Sequence, residues 1–275
     1  MKDSSIICLG DNCIDRYEVP VRRRFAGGNG VNTAVFAAKT GCRTAYAGAV
    51  GNDSEGRAIL EKLREKNIDV SLVQVYPSET AWTDVTFVDN ERVFGVEFYD
   101  TVRMYQINEE VLKGLSAYGI IHNTFMGGTE EKLEMIRDYT GSLLSMDFGE
   151  RYSEEFLDLC IPHVDLAFFS TDDEGIEQAG RFAQSMLHYG PSHVILTMGK
   201  YGAVYAGPGG GFYYEPAEKI EVVDTLGAGD TFIGTFLGEF AQGTDPAVCM
   251  KKATRAAAES CMRSGGFEGC EIFLR

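Results

Sequence analysis

Two spacings of apolar residues run along this chain, and the places where one gives way to the other mark out its elements. Residues 5–9 form a short apolar run that stops at Gly10-Asp11-Asn12, the pattern of a buried strand leading into a turn. Phe25 to Asn32 then opens a helix whose buried face is marked by Val31, Ala34, Val35 and Ala38, with Gly41 as its stop. Residues 44–50 read as a further strand, and residues 55–66 as an amphipathic helix. Between residues 72 and 98 the period drops to two. Thr80, Trp82, Asp84, Thr86 and Val88 alternate, Asp89-Asn90 signals a turn, and 92–98 alternate again. That is an exposed antiparallel hairpin, serving either as a lid over a site or as an ordinary edge. From Tyr118 strands alternate with helices: strands at 119–122, 143–147, 166–169 and 194–198, helices at 130–139, 153–160 and 174–189. A last, alanine-rich helix begins at Asp245-Pro246, a good N-cap and first-turn pair, and stops at Gly265-Gly266. The sum is an α/β chain with a doubly wound, mostly parallel central sheet flanked by helices and one small antiparallel β insertion. No linker, low-complexity tract or internal repeat divides it, so residues 1–275 are expected to form a single domain.

The most informative stretch is residues 221–240, EVVDTLGAGDTFIGTFLGEF. Val222-Val223 read as a strand end and Gly227-Ala228-Gly229 as a tight turn. Phe232, Ile233, Phe236, Leu237 and Phe240 then recur at helical spacing, which puts Asp230 in the first turn of a helix. The first amides of a helix have no intrahelical acceptor, and the macrodipole adds partial positive charge. Small residues let an anion approach those amides closely. Asp230 beside such a hole either stabilises the first turn or takes a proton from a hydroxyl while the hole holds a phosphoryl group.

Charge narrows the partners. Lys and Arg number 25 against 41 Asp and Glu, a net −16, so the field of the whole chain repels nucleic acid and anionic membrane. A phosphate ligand then needs local donors or a metal ion. No apolar run approaches a membrane span, and the apolar core of MKDSSIICLGDN is too short for a signal peptide. The seven cysteines are scattered, odd in number and free of C-x-x-C pairs, which points to reduced thiols and a cytoplasmic protein. The four histidines show no ligand spacing.

Other polar groups fall at strand ends, where open α/β sheets bind ligands. Asp11 and Asp15 could bond sugar hydroxyls or simply shape a turn. Asn29 and Asn32, at the Gly27-Gly28 helix entry, suit a neutral polyol, because each amide both donates and accepts. Arg22-Arg23-Arg24 read as a solvated loop or edge strand. Thr171-Asp172-Asp173-Glu174 either start a helix or hold magnesium partly through water. Thr197-Met198-Gly199-Lys200-Tyr201-Gly202 place glycines after a strand. Asp147-Phe148-Gly149 spells the protein-kinase metal tripeptide, but no G-x-G-x-x-G, H-R-D or Walker A motif accompanies it.

In this order the motifs resemble the ribokinase-like (PfkB) carbohydrate kinase family: G-D-x-x-x-D from Gly10, Gly27-Gly28-Asn29-x-x-Asn32, a β insertion, Thr197-Met198-Gly199-x-x-Gly202, and Asp224-Thr225-Leu226-Gly227-Ala228-Gly229-Asp230-Thr231-Phe232. The resemblance spans nearly the whole chain. It implies that Asp230 is the general base and that the amides of Gly227, Ala228 and Gly229 form the anion hole. It places Asp11, Asp15, Gly28, Asn29 and Asn32 on the sugar. On the ATP side it places Thr197, Gly199 and Gly202, with Thr254 and Ala257 of the last helix. Asp224 matches a position that helps hold a monovalent cation such as K+, and Glu174 matches the glutamate of an N-x-x-E motif for Mg2+. Thr171 stands where that motif has asparagine. The β insertion, about residues 12–25 and 72–101, is implied to be a lid, and its exposed edges offer a route to a homodimer.

Within the family the detail is most similar to fructoselysine 6-kinases, through G-D-N-C-x-D-x-Y, F-x-G-G-N-x-V-N and D-N-x-R-V-F-G. That implies a sugar-amine substrate phosphorylated on its 6-hydroxyl, with Arg92 or one of Arg22 to Arg24 on its carboxylate. A kinase for another ketose such as fructose, or a non-catalytic sugar sensor, are the competing expectations.

Overall fold

The computed structural model describes residues 4–17, 22–88, 91–150 and 152–273, and at 87, 88, 91, 92 and 94 the backbone alone. In chain order it comprises β1 (Ser5–Leu9), β2 (Cys13–Tyr17), β3 (Arg23–Gly27), α1 (Asn29–Lys39), β4 (Arg43–Ala47), β5 (Ala49–Gly51) and α2 (Ser54–Glu65). Then follow β6 (Gln74–Tyr76), β7 (Trp82–Val88), β8 (Glu91–Phe98), α3 (Glu109–Leu115), β9 (Ile120–Thr124), α4 (Leu133–Thr140), β10 (Leu143–Asp147) and α5 (Glu154–Cys160). The last elements are β11 (Leu166–Ser170), α6 (Ile176–Met186), β12 (His193–Thr197), β13 (Ala203–Ala206), β14 (Tyr213–Glu215), α7 (Ala228–Ala241) and α8 (Pro246–Cys261).

Eight strands form the main sheet in the order β14-β13-β12-β11-β10-β9-β1-β4. From β12 to β4 neighbouring strands run parallel, while β13 and β14 add an antiparallel edge. Parallel strands need crossovers, and crossover helices cover both faces, so strand side chains are buried on either side. Ile6 and Cys8 face one layer with Ile120, Phe168, Val35 and Phe236. Ile7 and Leu9 face the other with Ile121, Met146, Leu133 and Ala183. Burying a Leu, Ile or Phe side chain contributes about 1.5–3 kcal/mol, so these two layers dominate the stability. On α7 a glycine pair lets α1 come close. A Cβ on Gly234 would lie 2.9 Å from Phe36 Cβ, and one on Gly238 would lie 2.9 Å from the Ala37 carbonyl. That approach brings the first turns of α1 and α7 together.

A second, four-stranded sheet has the order β3-β2-β7-β8. Its β2–β3 and β7–β8 pairs are antiparallel and its β2–β7 pair is parallel. It continues directly from the carboxyl end of β1 and leads directly into α1. Glu55, at the start of α2, ties it down by accepting from Arg24 and, at 2.6 Å, from Arg16. Arg23, on the edge strand β3, donates to Glu271 at 2.8 and 2.9 Å. The Asp89-Asn90 turn lies outside the described residues.

The structure corrects several boundaries. Residues 44–50 are not one strand: Gly48 breaks them, because its carbon sits so close to Gly10 that a Cβ would lie 2.6 Å from the Gly10 carbonyl. β4 stays in the main sheet, and β5 leaves it to pair with β6. Val222-Val223 is not a strand end. Both side chains are exposed, and the segment is held by Val223 and Asp224 N–H groups donating to the Cys261 carbonyl. The helix expected from 174 begins at Ile176, the 130–139 segment opens with a 3-10 turn, and the last helix ends at Cys261. α3, β13 and β14 were not predicted, being only 7, 4 and 3 residues long. All seven cysteines are free, and only Cys261 is not buried. Among the described residues no helix is long and apolar enough to cross a membrane.

Candidate active site

The first turn of α7 forms one wall of the site. Gly227 caps the helix in the left-handed region at φ 72°, a conformation that favours glycine. Around it, Ala228 N–H donates to the Thr225 carbonyl at 3.2 Å and Thr231 N–H to the Gly227 carbonyl at 2.8 Å. Ala228 is therefore less available to an anion than sequence suggests. Among the described residues, the amides of Gly227 and Gly229 have no such carbonyl acceptor. A Cβ on Gly229 would meet nothing within 4 Å, so the space before the helix is open.

Asp230 is buried in this turn and accepts a hydrogen bond from Asn32 Nδ2 at 2.8 Å. Burial pushes its carboxyl well above the ordinary range. The Asn32 bond opposes that rise, while Asp147, Asp11 and Asp15 add to it. A carboxylate made more basic in this way is a better proton acceptor near neutral pH. Asn32 is wedged between backbones: a Cβ on Gly227 would lie 3.2 Å from its Nδ2, and one on Gly266 would lie 2.7 Å from its Oδ1. Its Oδ1 has no partner among the described residues.

Asp11 follows β1 and is also buried. Its Oδ1 accepts from Thr124 Oγ1 at 2.7 Å and its Oδ2 from Asn29 N–H at 2.8 Å, so it caps the start of α1. Burial raises its pKa, and those two bonds hold it down. Asp15 on β2 is buried, and a Cβ on Gly27 would lie 3.3 Å from its Oδ2. Gly28 joins β3 to α1 at φ +100°, with its carbon pressed against Asn12. Thus Asp11, Asp15, Gly28, Asn29, Asn32 and Asp230, more than 200 residues apart at the extremes, converge on one face.

Sequence reasoning missed Asp147. It ends β10 in register with Thr124, the residue that holds Asp11. Its Oδ1 accepts from Gly149 N–H at 2.9 Å, and burial, with Asp11 nearby, pushes its pKa up to about 6. The signal was available, since a carboxylate at the end of a parallel strand is a ligand position in its own right. The D-F-G spelling drew attention to the wrong comparison. Because the folded pKa of about 6 exceeds the ordinary 3.8, the folded chain holds the proton more tightly. The group therefore costs stability increasingly as pH rises from about 4 to about 6, reaching roughly 3 kcal/mol at about 1.4 kcal/mol per unit. Asp147→Asn keeps the acceptor for Gly149 and removes the charge. Thermal melts of this variant should match wild type near pH 4 and exceed it at pH 7. Identical pH profiles for the two proteins would remove this account.

The remaining expected residues sit on other elements. Thr197 ends β12, with its hydroxyl 2.9 Å from that of Ser170. Gly199 and Gly202 have φ of 51° and 102° in the turn before β13. Thr254 on α8 is buried, with no partner for its hydroxyl among the described residues, and Ala257 is packed against the core. Among the described residues, none of these is hydrogen-bonded to Asp230. Glu174 is exposed in the 171–175 segment, where Thr171 Oγ1 accepts from Asp173 N–H. Asp224 accepts from Leu226 N–H at 2.9 Å and Gly265 N–H at 3.1 Å, which braces the loop before α7. Among the described residues no three His, Cys, Asp or Glu side chains form a metal-binding group. The side chain of Arg92 lies outside the described residues.

The chain matches the profile of the pfkB family of carbohydrate kinases over residues 4–122 and 153–271. It is 31% identical to fructoselysine 6-kinase from Shigella flexneri, an alignment covering 96% of this chain and 99% of that one. It is 28% identical to fructosamine kinase FrlD from Bacillus subtilis strain 168, covering 95% and 92%. Among solved structures, Arabidopsis thaliana ribokinase in complex with ribose and ATP superposes with a TM-score of 0.82 over 95% of this chain and 93% of that one. At 18% identity it bears on the fold alone.

Proposed function

The chain belongs to the pfkB family of carbohydrate kinases, and from that membership we propose that it transfers the γ-phosphoryl group of ATP to the 6-hydroxyl of fructoselysine. One observation carries the reading: a buried carboxylate, Asp230, stands at a helix N-terminus and is bonded through Asn32 to the helix that Asp11 caps. Proton acceptor, anion-binding amides and polyol-binding groups thereby share one site. The relatives named for fructoselysine and fructosamine supply the substrate class.

In this reading Asp11, Asp15 and Asn32 hold the sugar hydroxyls beneath the four-stranded sheet, which acts as a lid. The 6-oxygen attacks the γ-phosphorus, the bond from that phosphorus to the bridging β–γ oxygen breaks, and the hydroxyl proton passes to Asp230. Gly227 and Gly229 amides face the charge on the moving group. Positioning and fixed dipoles dominate such transfers. Thr197, Gly199 and Gly202, with Thr254 and Ala257, would take the nucleotide. Glu174 would hold magnesium, which would supply positive charge to neutralise the phosphates. The exposed Glu174 carboxylate is an oxygen donor of the kind magnesium takes. Asp224 would serve a monovalent cation near the same loop.

A coupled ADP-release assay with MgATP tests the reading against fructoselysine, fructose, ribose and no sugar. ADP release that depends on fructoselysine is the expected result. Turnover of a different sugar instead would discard the substrate and keep the base.

A further inference from the structure

Beside the sugar-binding carboxylates lies a cavity of about 510 Å³. Its walls grow out of the residues that hold the sugar site. Phe125 and Met126 follow Thr124, whose hydroxyl donates to Asp11. Tyr99 follows β8, and its hydroxyl accepts from Thr83 Oγ1 at 3.3 Å, where Thr83 is the register partner of Asp15. A molecule whose sugar occupies Asp11 and Asp15 would therefore lead whatever it carries at its other end into this cavity.

The lining is of two kinds, apolar and charged. Phe125 is a large exposed apolar side chain, with its ring against Gly149. The same cavity is lined by two cations, Arg103 and Lys132, and two carboxylates, Glu130 and Glu131. Arg103 is exposed, and none of the ion pairs among the described residues uses it. Of the arginines expected to serve a carboxylate, Arg23 is engaged by Glu271 and Arg24 by Glu55. The loop at Gly128 packs on the backbone of Arg103, so a Cβ at Gly128 would lie 3.6 Å from Arg103 Cα. The base of this arginine is thus fixed while its guanidinium is free.

Apolar side chains together with charges of both signs match a hydrocarbon chain that carries a zwitterion. We infer that this cavity receives the lysine portion of the substrate, with Arg103 binding its α-carboxylate. The methylenes lie along Phe125, and Glu130 and Glu131 face the α-ammonium group. The planar guanidinium pairs with a carboxylate through two parallel N–H bonds, which a point charge cannot do. This inference rests on the proposed fructoselysine reading and assigns Arg103 as its specificity-determining residue.

The test compares fructoselysine with the same fructosamine built on cadaverine, which keeps the chain and the amine but lacks the carboxylate. Wild type should favour fructoselysine at least about tenfold in kcat/KM, the scale of a charged hydrogen-bonded pair. Arg103→Ala should lower kcat/KM for fructoselysine by roughly 10- to 100-fold on the same scale, through KM, with kcat little changed. The cadaverine adduct should be unaffected, which also shows that the variant is folded. Arg103→Lys should recover part of the loss. Equal use of both adducts by wild type, or equal loss of both in Arg103→Ala, would overturn the inference and leave fructosamine phosphorylation standing. Turnover of neither adduct by wild type, with activity on a simple sugar, would remove the reading and the inference together.

Discussion

Replacing Asp230 by asparagine is expected to lower kcat at least about 100-fold while sugar affinity stays within a few-fold. The substitution isolates proton transfer. Asparagine has nearly the same shape, and its Oδ1 can still accept the 2.8 Å bond from Asn32 Nδ2. It cannot take a proton. Loss of folding is an unsuitable explanation for the drop, because Asp230 is a buried carboxylate crowded by Asp147, Asp11 and Asp15. Removing its charge relieves that crowding, so the variant should melt no lower than wild type at pH 7. Single-turnover kinetics together with calorimetric sugar binding separate the two quantities. A kcat within fivefold of wild type would dismiss Asp230 as the base. A large rise in Kd with kcat preserved would make it a sugar ligand instead.

Gly28→Ala should destabilise the fold by about 2–6 kcal/mol. Two costs add. The residue has φ +100°, which costs a non-glycine residue roughly 1–3 kcal/mol. Its new Cβ would also lie 2.5 Å from Asn12 Cα, and forcing such a contact apart costs typically about 1–3 kcal/mol. The site would suffer as well, since relief requires α1 to move away from Asp11, which caps it. Gly41→Ala supplies the control: it has φ +85° but nothing within 4 Å of an added Cβ. Urea midpoints should fall further for Gly28→Ala than for Gly41→Ala, because only the first adds a clash. Equal midpoints would show that Gly28 matters only for its backbone angle.

Much of this architecture was legible because local signals agreed with the global arrangement. The helix after Asp230 was readable from five apolar residues at helical spacing, and the structure places it at Ala228–Ala241. Asp53 and Asp245 cap their helices as short polar side chains before apolar runs do. The convergence of Asp11, Asn32 and Asp230 was not readable from spacing, and only the family resemblance anticipated it. What escaped were features decided by a neighbour distant in sequence. Residues 44–50 have the composition of one strand, yet Gly10 crowds Gly48 and breaks it. Val222-Val223 has strand composition, yet its backbone pairs with the end of α8, where Val223 N–H donates to the Cys261 carbonyl. Asp147 and Arg103 carry no motif of their own. Asp147 becomes visible only when β10 is paired with β9, and Arg103 only when the loop after β9 folds over it.

The cysteines give the molecule a built-in clock. Only a thiolate attacks an alkylating reagent, and six of the seven thiols are shut away from solvent. Each buried sulfur can react only during the moments when its surroundings open, so its rate of labelling counts those moments. Cys13 reports on the four-stranded sheet. It lies on β2 with its sulfur 3.3 Å from Thr83 Oγ1, and burial pushes its pKa up to about 12. Cys160 on α5 and Cys249 on α8 are also buried and keep time for the body of the molecule. If that sheet closes over a bound sugar, the first clock slows and the other two keep their pace.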